Sequence, residues 1–180
     1  KGFFRNTRPD DLLATTLKAV MAQAPGLDPK AIEDVICGCA IPEAQQGLNV
    51  ARIGAILAGL PNPVGGITVN RFCASGLSAV AMAADRIRVG EADVMIAAGV
   101  ESMSMVPMMG NSPSLSPSIF APDSDVGIAY GMGLTAERVA QQWKVSREAQ
   151  DAFAVESHRR ALAAQQAGEF AAEITPIEVT

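Results

Sequence analysis

Aromatic residues are scarce in this 180-residue chain: six Phe, one Trp and one Tyr, 4% of the total. There is no basic tract either, and the net charge is −5. A chain with few rings to stack on bases and no cationic surface is not built to grip nucleic acid. Histidine is rarer still, with His158 alone, and the only cysteines are Cys37, Cys39 and Cys73. One imidazole and three thiols without paired spacing make neither a metal cage nor a disulfide framework. No metal site is therefore expected, and a reducing compartment is: the cytoplasm, with a mitochondrial matrix or a peroxisome also compatible. No apolar run approaches the roughly 20 residues of a membrane span. The segment Lys1-Gly2-Phe3-Phe4-Arg5 lacks the apolar region and cleavage site of a signal peptide. Internal repeats and low-complexity tracts are absent.

What is abundant is aliphatic. Hydrophobic residues reach 49%, so the core must be built from Ala, Val, Ile, Leu and Met. That composition suits close helix–sheet packing in one domain, or one domain and part of another. Pro9 with Asp10 or Asp11 opens a helix whose apolar face is Leu12, Leu13, Leu17, Val20 and Met21, ended by Pro25-Gly26. Asp28-Pro29 starts a short helical turn, and a strand is expected over 34–40. Cys37 and Cys39 alternate on one face of that strand and read as buried structural thiols. A second helix is expected over 48–57, stopped at Gly59-Leu60-Pro61, then a strand over 66–69, a helix over 76–89 and a strand over 93–99. Strands alternating with helices predict an α/β layer with parallel pairing. From 102 to 125, methionines interleave with Pro107, Pro113, Pro117 and Pro122, the pattern of a long ordered loop. Helices over 134–143 and 146–166 follow, the second capped by Ser146. Residues 173–180 read as a strand with Pro176 inside, hence an edge or a break.

One cysteine stands where a strand ends and a helix begins. In Val69-Asn70-Arg71-Phe72-Cys73-Ala74-Ser75-Gly76, the thiol of Cys73 meets the unpaired N–H groups and positive end of the new helix. Such surroundings lower a cysteine pKa from near 8.5 into the range of about 3.5–7.5. The small residues Ala74, Ser75 and Gly76 leave room for a substrate carbonyl. Covalent acyl transfer needs that combination.

Asn70, Cys73-Ala74-Ser75-Gly76-Leu77, Ala79-Val80 and Ile87 together resemble the acyl-enzyme signature of the thiolases. Two further segments agree with it. Gly99-Val100-Glu101-Ser102-Met103-Ser104 is similar to the loop after a core strand of that family. The run from Gly131-Met132-Gly133 through Ser146-Arg147-Glu148 to Phe153-Ala154 is similar to the start of its loop domain.

The resemblance implies a layered α/β core, with helices on both faces of a mixed, mostly parallel sheet, plus the start of a helical loop domain. It implies an N-terminal core domain over 1–116 lacking its first strand, the start of the loop domain over 117–180, and no C-terminal core domain. The implied activity is an acyltransferase reaction: thiolytic cleavage of 3-oxoacyl-CoA, or the reverse Claisen condensation, through an acyl-cysteine at Cys73. The Cys73 N–H would contribute to an oxyanion hole, and Met132 matches a position lining the acyl or pantetheine pocket. Coenzyme A and acyl-CoA are then substrates, no cofactor is implied, and family members form homodimers or homotetramers. The wording around Asn70 and the 43–49 segment are closest to degradative, fatty-acid β-oxidation enzymes.

The family's Gly-His-Pro, Cys-x-Gly and Asn-Glu-Ala-Phe motifs, which supply the acid–base set, do not occur in this sequence. The isolated chain is therefore expected to be inactive or nearly so. His158 lies on a polar helix face and reads as solvated, and Glu101 as a loop or subunit anchor. Arg147, Arg159 and Arg160 fit coenzyme A phosphates, though a solvated helix face explains them equally well. Asn70 is expected to orient the cysteine loop, and Met132 is as compatible with gap-filling as with substrate contact. The alternatives are an acetoacetyl-CoA-forming biosynthetic thiolase, a truncated non-catalytic acyl-CoA-binding fragment, and a ketosynthase, against which the 132–153 match argues.

Overall fold

A computed structural model describes residues 2–179 of the chain. Helix α1, Pro9–Ala22, begins with proline at its first position and Asp10 and Asp11 in its first turn, where carboxylates favour the positive end of the helix. Its buried face is narrower than the sequence pattern predicts. Leu13, Ala14 and Leu17 are buried, Leu12 and Met21 are half-buried, and Val20 faces solvent. Strand β1, Ile32–Gly38, starts and ends two residues earlier than expected. Helix α2 is Val50–Leu57, β2 is Gly65–Val69, α3 is Ser75–Arg88 and β3 is Val94–Gly99. These four lie where the apolar patterning put them, within two residues.

The strands form a sheet in the order β2–β1–β3, parallel throughout. Alternation along β1 sorts its side chains onto the two faces. Val35, Cys37 and Cys39 join Leu13, Leu17, Val50, Ala51 and Ala55 in the cluster with α1 and α2. Ile36 points the other way, against Ala79 and Ala83 of α3. A central strand buried on both faces explains its nearly unbroken apolar run. Burying each Val, Leu or Ile contributes about 1.5–3 kcal/mol. The alanines of α3 are small enough to bring that helix close to the sheet. Among the described residues, no aromatic side chain is buried.

The chain divides into two compact units, one of Lys1–Pro113 and Thr175–Thr180, the other of Ser114–Ile174. In the first, the stretch after β3 contains no regular element, yet Ser102 and Val106 are buried. The second holds short helical turns at Pro117–Phe120 and Val126–Ala129, then α4, Met132–Trp143, and α5, Arg147–Gln166. Ser146 caps α5 as expected, its Oγ accepting the Ala149 N–H at 3.2 Å. The strand expected at 173–180 is not formed over its described part, 173–179. Strand structure needs a ladder partner, none pairs there among the described residues, and Pro176 has no N–H to offer one. No described helix is long and apolar enough to cross a membrane.

Candidate active site

Residues 70–74 join the end of β2 to the start of α3, and the turn they make is tight. Phe72 takes a left-handed conformation, φ +46°, which costs an L-residue roughly 1–2 kcal/mol. Two polar side chains hold it there. The Asn70 Oδ1 accepts the Phe72 N–H at 2.9 Å, an Asx turn. The Ser75 Oγ accepts the Arg71 N–H at 2.8 Å and donates to the Phe72 carbonyl at 2.6 Å. Backbone bonds from Ala74 to Arg71 and from Ser75 to Phe72, both 3.0 Å, close the turn. The N–H groups of Arg71, Phe72, Ala74 and Ser75 are thus all engaged. That of Cys73 takes no part in these bonds, and its thiol is exposed.

The central strand carries the turn from below. Gly38 pairs with Val69 of β2 and with Gly99 of β3, so all three strands end at one level. A Cβ on Gly38 would lie 2.5 Å from the Ser75 carbonyl carbon and 2.6 Å from the Gly76 nitrogen. Only glycine lets the strand touch the first turn of α3. The result places the Cys73 sulfur and N–H beside the N-terminus of a 14-residue helix, where negative charge is favoured. This arrangement can present a nucleophile and receive an oxyanion.

A second polar cluster sits where β1 and β3 end. The Glu101 carboxylate accepts the Ala40 N–H at 2.6 Å and also the side-chain amide of Gln46. Gln46 is fully buried; its Nε2 donates to the Ile41 carbonyl at 2.8 Å, and its Oε1 accepts the Ser102 N–H at 2.9 Å. Glu101 thus anchors loops. Cys39 Sγ lies 3.9 Å from Glu101 Oε1. Burial first, then the Glu101 charge, pushes the Cys39 thiol up to about 11. Cys37 is pushed up to about 12, by burial and then by Cys39 and Glu101. Both therefore stay protonated at neutral pH.

The other residues singled out from sequence lie apart from this turn in the chain. Met132 is the first residue of α4, in the unit Ser114–Ile174, and is 65% exposed. His158 is exposed on α5. Arg147 pairs with Asp151 at 2.9 Å, while Arg159 and Arg160 both reach Glu156, at 2.6 and 2.7 Å, all along the same helix. Three contributors went unrecognised in the sequence. Glycine inside an apolar strand run was the available sign for Gly38, and a serine at a helix start was the sign for Ser75. Nothing local marks Gln46, whose partners are fixed by tertiary contact.

The chain is thus an α/β protein that presents an exposed cysteine on a strained strand-to-helix turn at the carboxyl ends of parallel strands, where such layers hold their ligands. The family is specific: the description "Thiolase, N-terminal domain" matches residues 1–180, and the chain belongs to the thiolase family. It is 50% identical to a 3-ketoacyl-CoA thiolase of Bacillus subtilis (strain 168) over 182 residues, covering 100% of this chain and 45% of that protein. Proteins of the same name from Shewanella sp. (strain MR-7) and Aeromonas hydrophila are 46% and 44% identical, each over 98% of this chain and 45% of theirs. The chain thus spans about half the length of the curated relatives it matches.

Proposed function

We propose that this chain supplies the nucleophilic part of a 3-ketoacyl-CoA thiolase, with Cys73 as the acyl carrier. A base takes the thiol proton, and the sulfur attacks the 3-oxo carbonyl of a 3-oxoacyl-CoA, forming a C–S bond. The adduct's oxyanion is held by the Cys73 N–H and the end of α3. Collapse breaks the Cα–Cβ bond; the electron pair leaves on the α-carbon, which takes a proton to give acetyl-CoA. The thiol of free coenzyme A then attacks the acyl-cysteine, its proton passes to the base, and the Cys73 sulfur departs. Run backwards, the same steps are a Claisen condensation, the direction of a biosynthetic enzyme.

The observation that carries this reading is the Cys73 turn, with its exposed sulfur and supporting helix end. The names of the relatives support the substrate class. Neither buried thiol nor exposed His158 suits the acid–base work, so we place those groups outside the described residues. We further read 1–116 as the core domain, 117–180 as the opening of the loop domain, and Met132 as a contact for the acyl or pantetheine chain. Coenzyme A and acyl-CoA act as substrates without a further cofactor, and the working unit is a homodimer or homotetramer.

The missing acid–base set also fits a second reading, a chain that binds acyl-CoA without turning it over. Intact mass of the denatured protein after incubation with 3-oxoacyl-CoA separates the two. An acyl increment that disappears in Cys73→Ala, with acetyl-CoA released, supports the enzyme. Binding without increment or product supports the second reading.

A further inference from the structure

We propose that Glu101 and Gln46 form a positioning clamp for the Cys73 turn, a role that rests on reading Cys73 as the nucleophile. One carboxylate and one amide hold three backbone groups, those of Ala40, Ile41 and Ser102. Ala40 and Ile41 follow β1, and Glu101 and Ser102 follow β3. The exits of two neighbouring strands are thereby joined to each other through Gln46, which is fully buried, and Ser102, nearly so, while Glu101 itself is exposed. The lock reaches the cysteine through Gly38. Its carbonyl accepts the Val100 N–H at 2.9 Å, and the next residue, Cys39, donates to the Val69 carbonyl at 3.0 Å. Gly38 also abuts Ser75 and Gly76 without room for a methyl group. A shift of the β1 exit therefore pushes on the first turn of α3. Ser75 is the residue whose hydroxyl holds Arg71 and Phe72 around Cys73.

A carboxylate suits the clamp because it accepts from two donors at once, the Ala40 N–H and the Gln46 amide. Glutamine in its place keeps one acceptor oxygen and turns an NH2 toward the other donor. Alanine removes both acceptors. A displacement of about 1 Å at a reacting group reduces turnover while leaving the binding of distant parts of a substrate in place.

The test uses the full-length enzyme and the variants Glu101→Ala, Glu101→Gln and Gln46→Ala. Steady-state kinetics, thermal melting and the iodoacetamide alkylation rate of Cys73, followed by peptide mass, are measured on each. The expected result is a kcat lowered about tenfold or more in Glu101→Ala and Gln46→Ala, with KM within about twofold. Alkylation of Cys73 changes rate in the same variants, and Glu101→Gln falls between them and wild type in both readouts. Wild-type kcat per folded site together with a wild-type alkylation rate overturns the clamp, even if melting temperature falls. If the alanine variants do not fold, Glu101→Gln decides by the same two readouts. A wild-type protein that forms no acyl-cysteine overturns the proposed reaction instead, and alkylation then still judges the clamp.

Discussion

Ser75 spends one buried hydroxyl on both sides of the Cys73 turn, accepting from Arg71 and donating to Phe72. Ser75→Ala removes both part-buried hydrogen bonds, a loss of about 0.5–1.5 kcal/mol for each. Urea melts should show that destabilisation, and Cys73 should alkylate at an altered rate as the left-handed Phe72 relaxes. A variant as stable as wild type would mean that Asn70 and the backbone hold the turn alone. The other two cysteines are buried, whereas Cys73 is exposed. Burial keeps Cys37 and Cys39 protonated to about 12 and about 11, whereas in an unfolded chain they ionise near 8.5. Between those values the unfolded state binds fewer protons than the folded one. Their contribution is therefore complete below about pH 8.5 and is lost as pH rises toward 11–12, by up to about 1.4 kcal/mol per pH unit for each thiol. The double variant Cys37→Ala/Cys39→Ala should lose stability less steeply in urea melts from pH 8 to 10. Equal slopes would show that the folded protein ionises these thiols as readily as the unfolded chain does.

At the level of elements, α2 is short, and Asn49 does more for it than cap it. The Asn49 Oδ1 accepts the Arg52 N–H at 3.4 Å and the Thr68 hydroxyl at 2.8 Å, while its Nδ2 donates to the Gly66 carbonyl at 2.7 Å. Thr68 in turn accepts the Ala51 N–H at 3.1 Å. Asn49 thus joins the start of α2 to β2, the strand that delivers the cysteine turn. Asn49→Ala should cost about 1–2 kcal/mol by chemical denaturation, and Asn49→Asp less, because it keeps the acceptor and loses only the bond to Gly66. Matching losses in the two variants would assign the effect to the Gly66 bond alone. The same elements show what is readable in a sequence. The β1, β2 and β3 runs, the helices between them and the Cys73 junction announce themselves through local pattern, because each buries a face that must be apolar. The end strand at 173–179 fails for the complementary reason: β-branched residues alone do not form a ladder. Val20 is exposed because an apolar pattern gives the direction of a helix face but not how far its neighbour extends over it. The left-handed Phe72, the Gly38 contact and the buried Gln46 depend on long-range neighbours that no window of residues contains.

On the scale of the molecule, α3 is apolar on more than the side it turns to the sheet. Ala79 and Ala83 face Ile36, while Leu77, Val80 and Ile87 stand on a neighbouring side at helical spacing and are 74%, 53% and 45% exposed. A helix apolar on several sides is ordinarily covered on several sides, and side chains of this size gain little by facing water. An exposed apolar stripe of this kind has the character of a surface that packs against further protein. The isolated 180-residue chain should then bind a hydrophobic dye and self-associate in sedimentation. Val80→Glu with Ile87→Glu should make that chain monomeric and weaken dye binding. The same pair in the full-length enzyme should lower the assembled fraction and the melting temperature together, since two charges would be buried without partners. If the full-length double variant instead assembles and melts like wild type, the stripe faces solvent in the working molecule. The apolar character of α3 would then serve its contact with the sheet alone.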